Sequence, residues 1–133
     1  MNKESLVTKA IAARNHAYVP YSHFKVGAAV ETADGTVYTG ANIENASYGL
    51  TMCAERNAIF AAVCAGARSI AALAVVADTD DGVSPCGACR QVMTEFTHAD
   101  TPVYLGNLHN TIEDMTVGEL LPGAFNKEDM HNA

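Results

Sequence analysis

Ile70-Ala71-Ala72-Leu73-Ala74-Val75-Val76-Ala77 carries no polar side chain. It is far too short to cross a membrane and has the length of a strand. A strand that is apolar on both of its faces has to be covered on both, as in the middle of a sheet flanked by helices. Residues 52–65 before it read as a helix stopped by Gly66. After it, an acidic loop over 78–82 leads to Ser84 and Pro85, which suit the N-cap and first position of another helix running to about Phe96. A buried strand between two helices points to an α/β layer architecture.

Further out, apolar side chains at Leu6, Val7, Ala10, Ile11, Ala17 and Tyr18 recur at helical spacing, so a helix is expected over 3–18, ended by Pro20. Strands are expected over 24–32 and 36–43, with Asp34-Gly35 between them as a two-residue hairpin turn. A polar loop then runs to Thr51, the expected N-cap of the 52–65 helix. Downstream, 102–105 reads as a strand, and another is expected near 109–112. Thr116-Val117-Gly118-Glu119 is a capping box for a brief helix. Pro122-Gly123 stops that helix and leaves Phe125 on a turn, and 126–133 reads as a solvated tail. Together these elements make one domain over 1–133 with a mixed sheet.

The chain has 133 residues, is 49% apolar and has a net charge of -7. The eight Lys and Arg form no cluster, which argues against a nucleic-acid partner, whose phosphates need a positive track. No run reaches the length of a membrane span and the N-terminus lacks a signal-peptide layout, so a cytoplasmic location is expected. There, cysteines more often serve as ligands or nucleophiles than as disulfides. The apolar residues of 58–65 make that helix apolar all round, which suggests that subunits pack over one of its faces.

Three of the four cysteines stand at the two expected helix starts, in Cys53-Ala54-Glu55-Arg56 and Ser84-Pro85-Cys86-Gly87-Ala88-Cys89-Arg90. Three thiolates on one zinc ion leave a fourth position for water, the catalytic arrangement. Glu55 would then be the acid/base. Two residues apart on a helix is about 200° of rotation, so Cys53 and Glu55 converge only on a site beyond the helix N-terminus. The partial positive charge at such an end favours thiolates. Three thiolates overcompensate the metal charge, and Arg56 is expected to bond to ligand sulfurs and draw charge from them. Other readings of the same residues exist. Cys86-Gly87-Ala88-Cys89 alone is also a dithiol redox pattern, and four cysteines could close a structural zinc site. Cys64 lies about three turns along its helix from Cys53, out of reach of that end, and is expected to be a buried thiol. The five histidines form no ligand pair.

Cys-Ala-Glu followed 33 residues after its cysteine by Pro-Cys-Gly-Ala-Cys resembles the zinc nucleoside deaminases. Asn42-Ile43-Glu44-Asn45-Ala46 and Leu120-Leu121-Pro122-Gly123-Ala124-Phe125 are similar to the small homotetrameric cytidine deaminases. The resemblance runs from Pro20-Tyr21-Ser22 to Phe125. It implies a three-layer α/β/α fold with a five-stranded mixed sheet, and one Zn2+ per subunit on Cys53, Cys86 and Cys89. It implies Glu55 as proton shuttle, Asn42 and Glu44 on the ribose hydroxyls, Phe24 on the pyrimidine and Ala54 beside the substrate. Ala46, Tyr48 and Phe125 would complete a neighbouring subunit's site. The implied reaction is hydrolytic deamination of free cytidine and 2′-deoxycytidine in pyrimidine salvage. Asn42 and Glu44 also alternate along a strand end and so share a face. A blasticidin-S-type deaminase would share the metal motifs, and a non-catalytic zinc or dithiol protein is the reading from a different class.

Overall fold

The computed structural model describes residues 1–131. Strands β1 (Val26–Thr32), β2 (Val37–Ala41), β3 (Ile70–Ala77), β4 (Pro102–Gly106) and β5 (Ile112–Thr116) form one sheet in the order β2-β1-β3-β4-β5. The apolar run therefore is the central strand. Its pairing with β4 is parallel, and the other three pairings are antiparallel. Helix α1 (Lys3–Arg14) covers one face. Helices α2 (Ala54–Cys64), α3 (Gly87–Phe96) and α4 (Val117–Leu120) lie on the other.

Side chains along β3 alternate between two cores, as strand geometry requires. Ala72, Ala74 and Val76 meet Leu6, Val7 and Ala10 of α1. Leu73 and Val75 meet Ala58, Ile59, Ala62 and Met93 of α2 and α3. Truncating a fully buried side chain such as Ile59 or Met93 to Ala would cost about 2–5 kcal/mol.

The small residues set how closely the layers approach. A Cβ on Gly27 would stand 2.0 Å from the Ala10 carbonyl oxygen of α1. On Gly40 it would stand 2.5 Å from the Ala58 nitrogen and 2.7 Å from the Ala54 carbonyl oxygen of α2. Glycine here is what lets the backbone of α2 rest on β2.

Register then brings the helix starts together. Gly27 of β1 pairs with Ala41 at the end of β2 and with Val76 near the end of β3. The carboxyl ends of β2 and β3 thus share one edge of the sheet. The chain leaves both strands at that edge before winding into α2 and α3.

Several boundaries differ from the sequence reading. Helix α1 stops at Arg14 because Tyr18 is drawn into backbone pairing, its N–H donating to Asn42 O at 3.0 Å and its carbonyl accepting from Glu44 N at 2.8 Å. The hairpin has three loop residues, 33–35. Thr32 N donates to Thr36 O, and Gly35 holds φ +88°, the glycine-bulge form of the turn.

Thr51 is not the cap of α2. Met52 exchanges both backbone hydrogen bonds with Ile43, so the chain stays extended to Cys53, which is the N-cap. Ser84 and Pro85 likewise precede the helix, and Cys86 caps α3. The last strand begins at Ile112 rather than 109, because the Asn107 carboxamide accepts from the His109 and Thr111 amides and folds 107–111 into a turn. Thr116 and Glu119 form the expected capping box.

Cys64 is exposed, not buried. Ala58, Ile59 and Ala62 face the sheet, and Cys64 falls on the opposite face with Phe60, Ala61 and Ala65. Within the expected tail, Lys127–His131 forms a short helix, α5, whose side chains at 127–130 are exposed. Residues 132 and 133 lie outside the described residues.

Candidate active site

Cys53 and Cys86 occupy equivalent positions. Each is the N-cap of its helix, with φ/ψ of -73°/153° and -69°/166°, and neither sulfur caps a backbone amide. Cys89 is the third residue of α3, and Glu55 is the second of α2. The three sulfurs all lie within 4.8 Å of one another, and those of Cys53 and Cys86 are 3.7 Å apart.

The arrangement suits zinc. Two sulfurs at about 2.3 Å from a tetrahedral ion are separated by about 3.8 Å, close to the spacing found. Three soft ligands of this kind on two converging helix N-termini leave one tetrahedral corner open. Cys64 sits at the far end of α2 and takes no part, which removes the four-cysteine arrangement. No other group of three His, Cys, Asp or Glu suited to a metal occurs among the described residues.

The electrostatics follow from burial and proximity. The Cys53 thiol is pulled well below its ordinary value, first by a hydrogen bond from Cys89 and also by Arg56. Cys89 is pushed up by Cys53 and by its own burial. Arg56 Nη2 donates to Cys53 Sγ at 3.4 Å, and the sulfurs raise the Arg56 pKa, Cys53 foremost. Among the described residues its buried Nε has no hydrogen-bond partner.

Glu55 is 5% exposed. Burial foremost pushes its carboxyl up to about 7, with the Cys53 charge adding. A carboxyl ionising near neutrality is suited to both taking and giving a proton.

Arg90, the other cation beside one of the three cysteines, does a different job. Its Nε donates to Pro85 O at 2.8 Å, Nη1 to Leu120 O at 2.7 Å and Nη2 to Ser84 Oγ at 3.0 Å. It thereby fixes the extended approach to Cys86 and ties it to the end of α4. Asn57 plays a similar part for α2, donating to Ala41 O at the end of β2, 2.8 Å away. Sequence reasoning assigned neither role. The one available signal was that Arg90 stands four residues after Cys86, on the same helix face.

The other expected site residues gather on the segments leading into β1 and out of β2. Asn42 Nδ2 donates to Phe24 O at 2.8 Å, and its Oδ1 accepts from Val26 N at 2.9 Å. Glu44 Oε1 accepts from Tyr21 N and Ser22 N at 3.0 and 3.1 Å. Its Oε2 accepts from the Ser22 hydroxyl. These bonds, the Ser22 hydroxyl foremost, hold the Glu44 pKa below its ordinary value. Phe24 is half-exposed beside them.

Ala54 is fully buried at the start of α2. Ala46 lies in the exposed loop before a single 3-10 turn, Tyr48–Leu50. Tyr48 is 75% exposed and meets Tyr21 edge to face, with ring centroids 6.0 Å apart. Phe125 is 62% exposed, with its carbonyl held by Gln91 Nε2 at 2.7 Å. Tyr18 is exposed in the segment before β1, and Ile43 and Leu50 are exposed in the same loop as Tyr48.

Residues 1–105 match the family described as the cytidine and deoxycytidylate deaminase zinc-binding region. The chain is 61% identical to a cytidine deaminase of Halalkalibacterium halodurans over 132 residues, covering 99% of this chain and 100% of that one. It is 59% identical to a cytidine deaminase of Sporosarcina psychrophila, covering 100% and 98%. The crystal structure of the cytidine deaminase from Burkholderia pseudomallei superposes with a TM-score of 0.91 at 51% identity, over 94% of this chain and 100% of that one.

Proposed function

The chain belongs to the cytidine and deoxycytidylate deaminase family, and on that footing we propose that it is a zinc-dependent enzyme acting on free cytidine and 2′-deoxycytidine. The products are uridine or 2′-deoxyuridine and ammonia, which fits pyrimidine salvage in the cytoplasm. No helix among the described residues is long and apolar enough to cross a membrane. The observation that carries the reading is the convergence of the three sulfurs beside a buried carboxyl in the first turn of α2.

Cys53, Cys86 and Cys89 would hold the ion, and Arg56 would draw charge from the sulfurs. Bound there, zinc supplies a water activated for attack near neutral pH. Glu55 accepts a proton from the attacking water and delivers it to N3 of the pyrimidine. The hydroxide left behind adds at C4, which becomes tetrahedral. Glu55 then carries the proton of the new C4 hydroxyl to the amino group, the C4–N bond breaks as the C4 carbonyl forms, and the group departs as ammonia. Phe24 packs on the ring, and the backbone at Ala54 borders it.

Asn42 and Glu44 grip the ribose hydroxyls with what their loop contacts leave over. Asn42 keeps one N–H and one lone pair. Glu44 has three of its roughly four acceptor positions taken, so Oε2 is the oxygen left for the sugar.

The assembly is a homotetramer, in which Ala46, Tyr48 and Phe125 of one subunit complete a neighbour's site. Exposed Phe60, Tyr48 and Leu50 suit burial in such contacts.

The test is the fall in cytidine absorbance with purified protein, with and without a zinc chelator. Turnover lost on chelation and restored by zinc supports the reading. No ammonia from either nucleoside with zinc loaded, or a redox-active Cys86–Cys89 pair without zinc, refutes it.

A further inference from the structure

The segment from Tyr21 to Val26 joins the expected sugar and base contacts, and one hydroxyl stands at its centre. Ser22 Oγ donates to Glu44 Oε2 and accepts from Phe24 N at 3.0 Å. The same hydroxyl therefore touches the carboxylate on one side and the backbone of the aromatic residue on the other. Because the Phe24 amide takes up one of its lone pairs, the hydroxyl proton is directed at Glu44.

The residue it spans, His23, has φ of 59°. A non-glycine residue holds the left-handed region only where neighbouring contacts over-determine it. The contacts here are His23 N to Val19 O at 3.0 Å and the Ser22 bridge. The bridge keeps the bend that presents Phe24. On the far side of Phe24, its carbonyl is held by Asn42. The Phe24 backbone is thus fixed at both ends by the two residues assigned to the ribose, directly by Asn42 and through Ser22 by Glu44.

We propose that Ser22 is a positioning residue for the nucleoside, coupling the carboxylate that grips the ribose to the aromatic ring that packs on the base. This rests on the reading of Asn42, Glu44 and Phe24 given above. Without the hydroxyl, Oε2 loses the donor that orients it. The Phe24 amide loses its acceptor, and the bend at His23 loses one of the contacts that hold it. Sugar and base contacts then no longer sit at a set spacing before substrate arrives, and binding has to order them.

The experiment compares wild type, Ser22→Ala, Ser22→Thr, Glu44→Gln and the Ser22→Ala/Glu44→Gln double variant, all zinc-loaded and checked by thermal melting. The KM for cytidine is expected to rise roughly tenfold in Ser22→Ala, the scale of one lost hydrogen bond to a charged group, with kcat within about twofold. Ser22→Thr, which keeps the hydroxyl, should restore most of the loss. In the Glu44→Gln background the added effect of Ser22→Ala should shrink to less than about threefold, as coupled residues require.

An unchanged KM in Ser22→Ala while Glu44→Gln raises it would overturn the proposal and leave the ribose reading standing. So would strictly additive effects, or no rescue by Thr. An unchanged KM in Glu44→Gln would overturn the ribose reading, and the proposal with it.

Discussion

Gly40→Ala tests whether the sheet positions the metal centre. A Cβ there stands 2.5 Å from Ala58 N and 2.7 Å from Ala54 O, both backbone atoms of α2. A relaxed contact needs about 3.4 Å, so α2 has to move off β2 by about 0.9 Å. Cys53 is the N-cap of that helix, and its sulfur moves with it. Metal–ligand distances tolerate only about 0.2 Å, so the displacement is several times what three converging sulfurs can absorb.

Overpacking of this kind costs about 1–3 kcal/mol, a fall in Tm of roughly 5–10 °C. Zinc affinity should fall at least about tenfold, read as faster release to a chromogenic chelator below the melting transition. Gly27→Ala is the control. Its Cβ meets the Ala10 carbonyl oxygen at 2.0 Å, a harder clash, but against α1, which bears no site residue. It should lower Tm more while leaving zinc release from the folded fraction unchanged. A Gly40→Ala protein with lowered Tm and wild-type zinc release would refute the argument that this contact sets the position of Cys53.

Glu55→Gln should keep its zinc and lose turnover by about 10²–10⁴, checked by metal analysis and ammonia release on one sample. Full turnover would remove Glu55 from proton transfer. Arg90→Ala removes three hydrogen bonds around Cys86 and should speed zinc release roughly tenfold. Arg90→Lys should repair this only in part, since an ammonium cannot reproduce the fork. Equal release rates in all three proteins would count against that tether.

The Glu44 tether should depend on pH with a definite sign. Its folded pKa is depressed, chiefly by Ser22, so the contribution is present above the unfolded carboxylate value and is lost as pH falls through the lower, folded value. Hydrogen exchange at the Tyr21 and Ser22 amides should therefore hold near neutrality and lose protection only below the ordinary carboxylate range. Loss of protection above that range would contradict it.

Much of this protein is legible locally. The apolar run of β3 requires cover on both faces, and the capping box at Thr116 needs only its own four residues. The two-residue offset of Cys53 and Glu55 demands a site beyond a helix end wherever the helix lies. What failed locally was decided by distant partners. Thr51 lost its cap role because Met52 pairs with Ile43, and the last strand moved because the Asn107 carboxamide folds the turn before it. Cys64 turned outward because Ala58, Ile59 and Ala62 claimed the sheet side.

The sequence by itself determined which residues could carry the chemistry, since ligand type and helix-end spacing are properties of a short stretch. Only the tertiary structure decided that they meet. That depends on register, which puts the ends of β2 and β3 on one edge of the sheet, and on the bare backbone of Gly40, which lets α2 lie against it. It also depends on the donors of Arg90 and Ser22, whose acceptors at Leu120 and Glu44 lie 30 and 22 residues away, separations that no local pattern encodes.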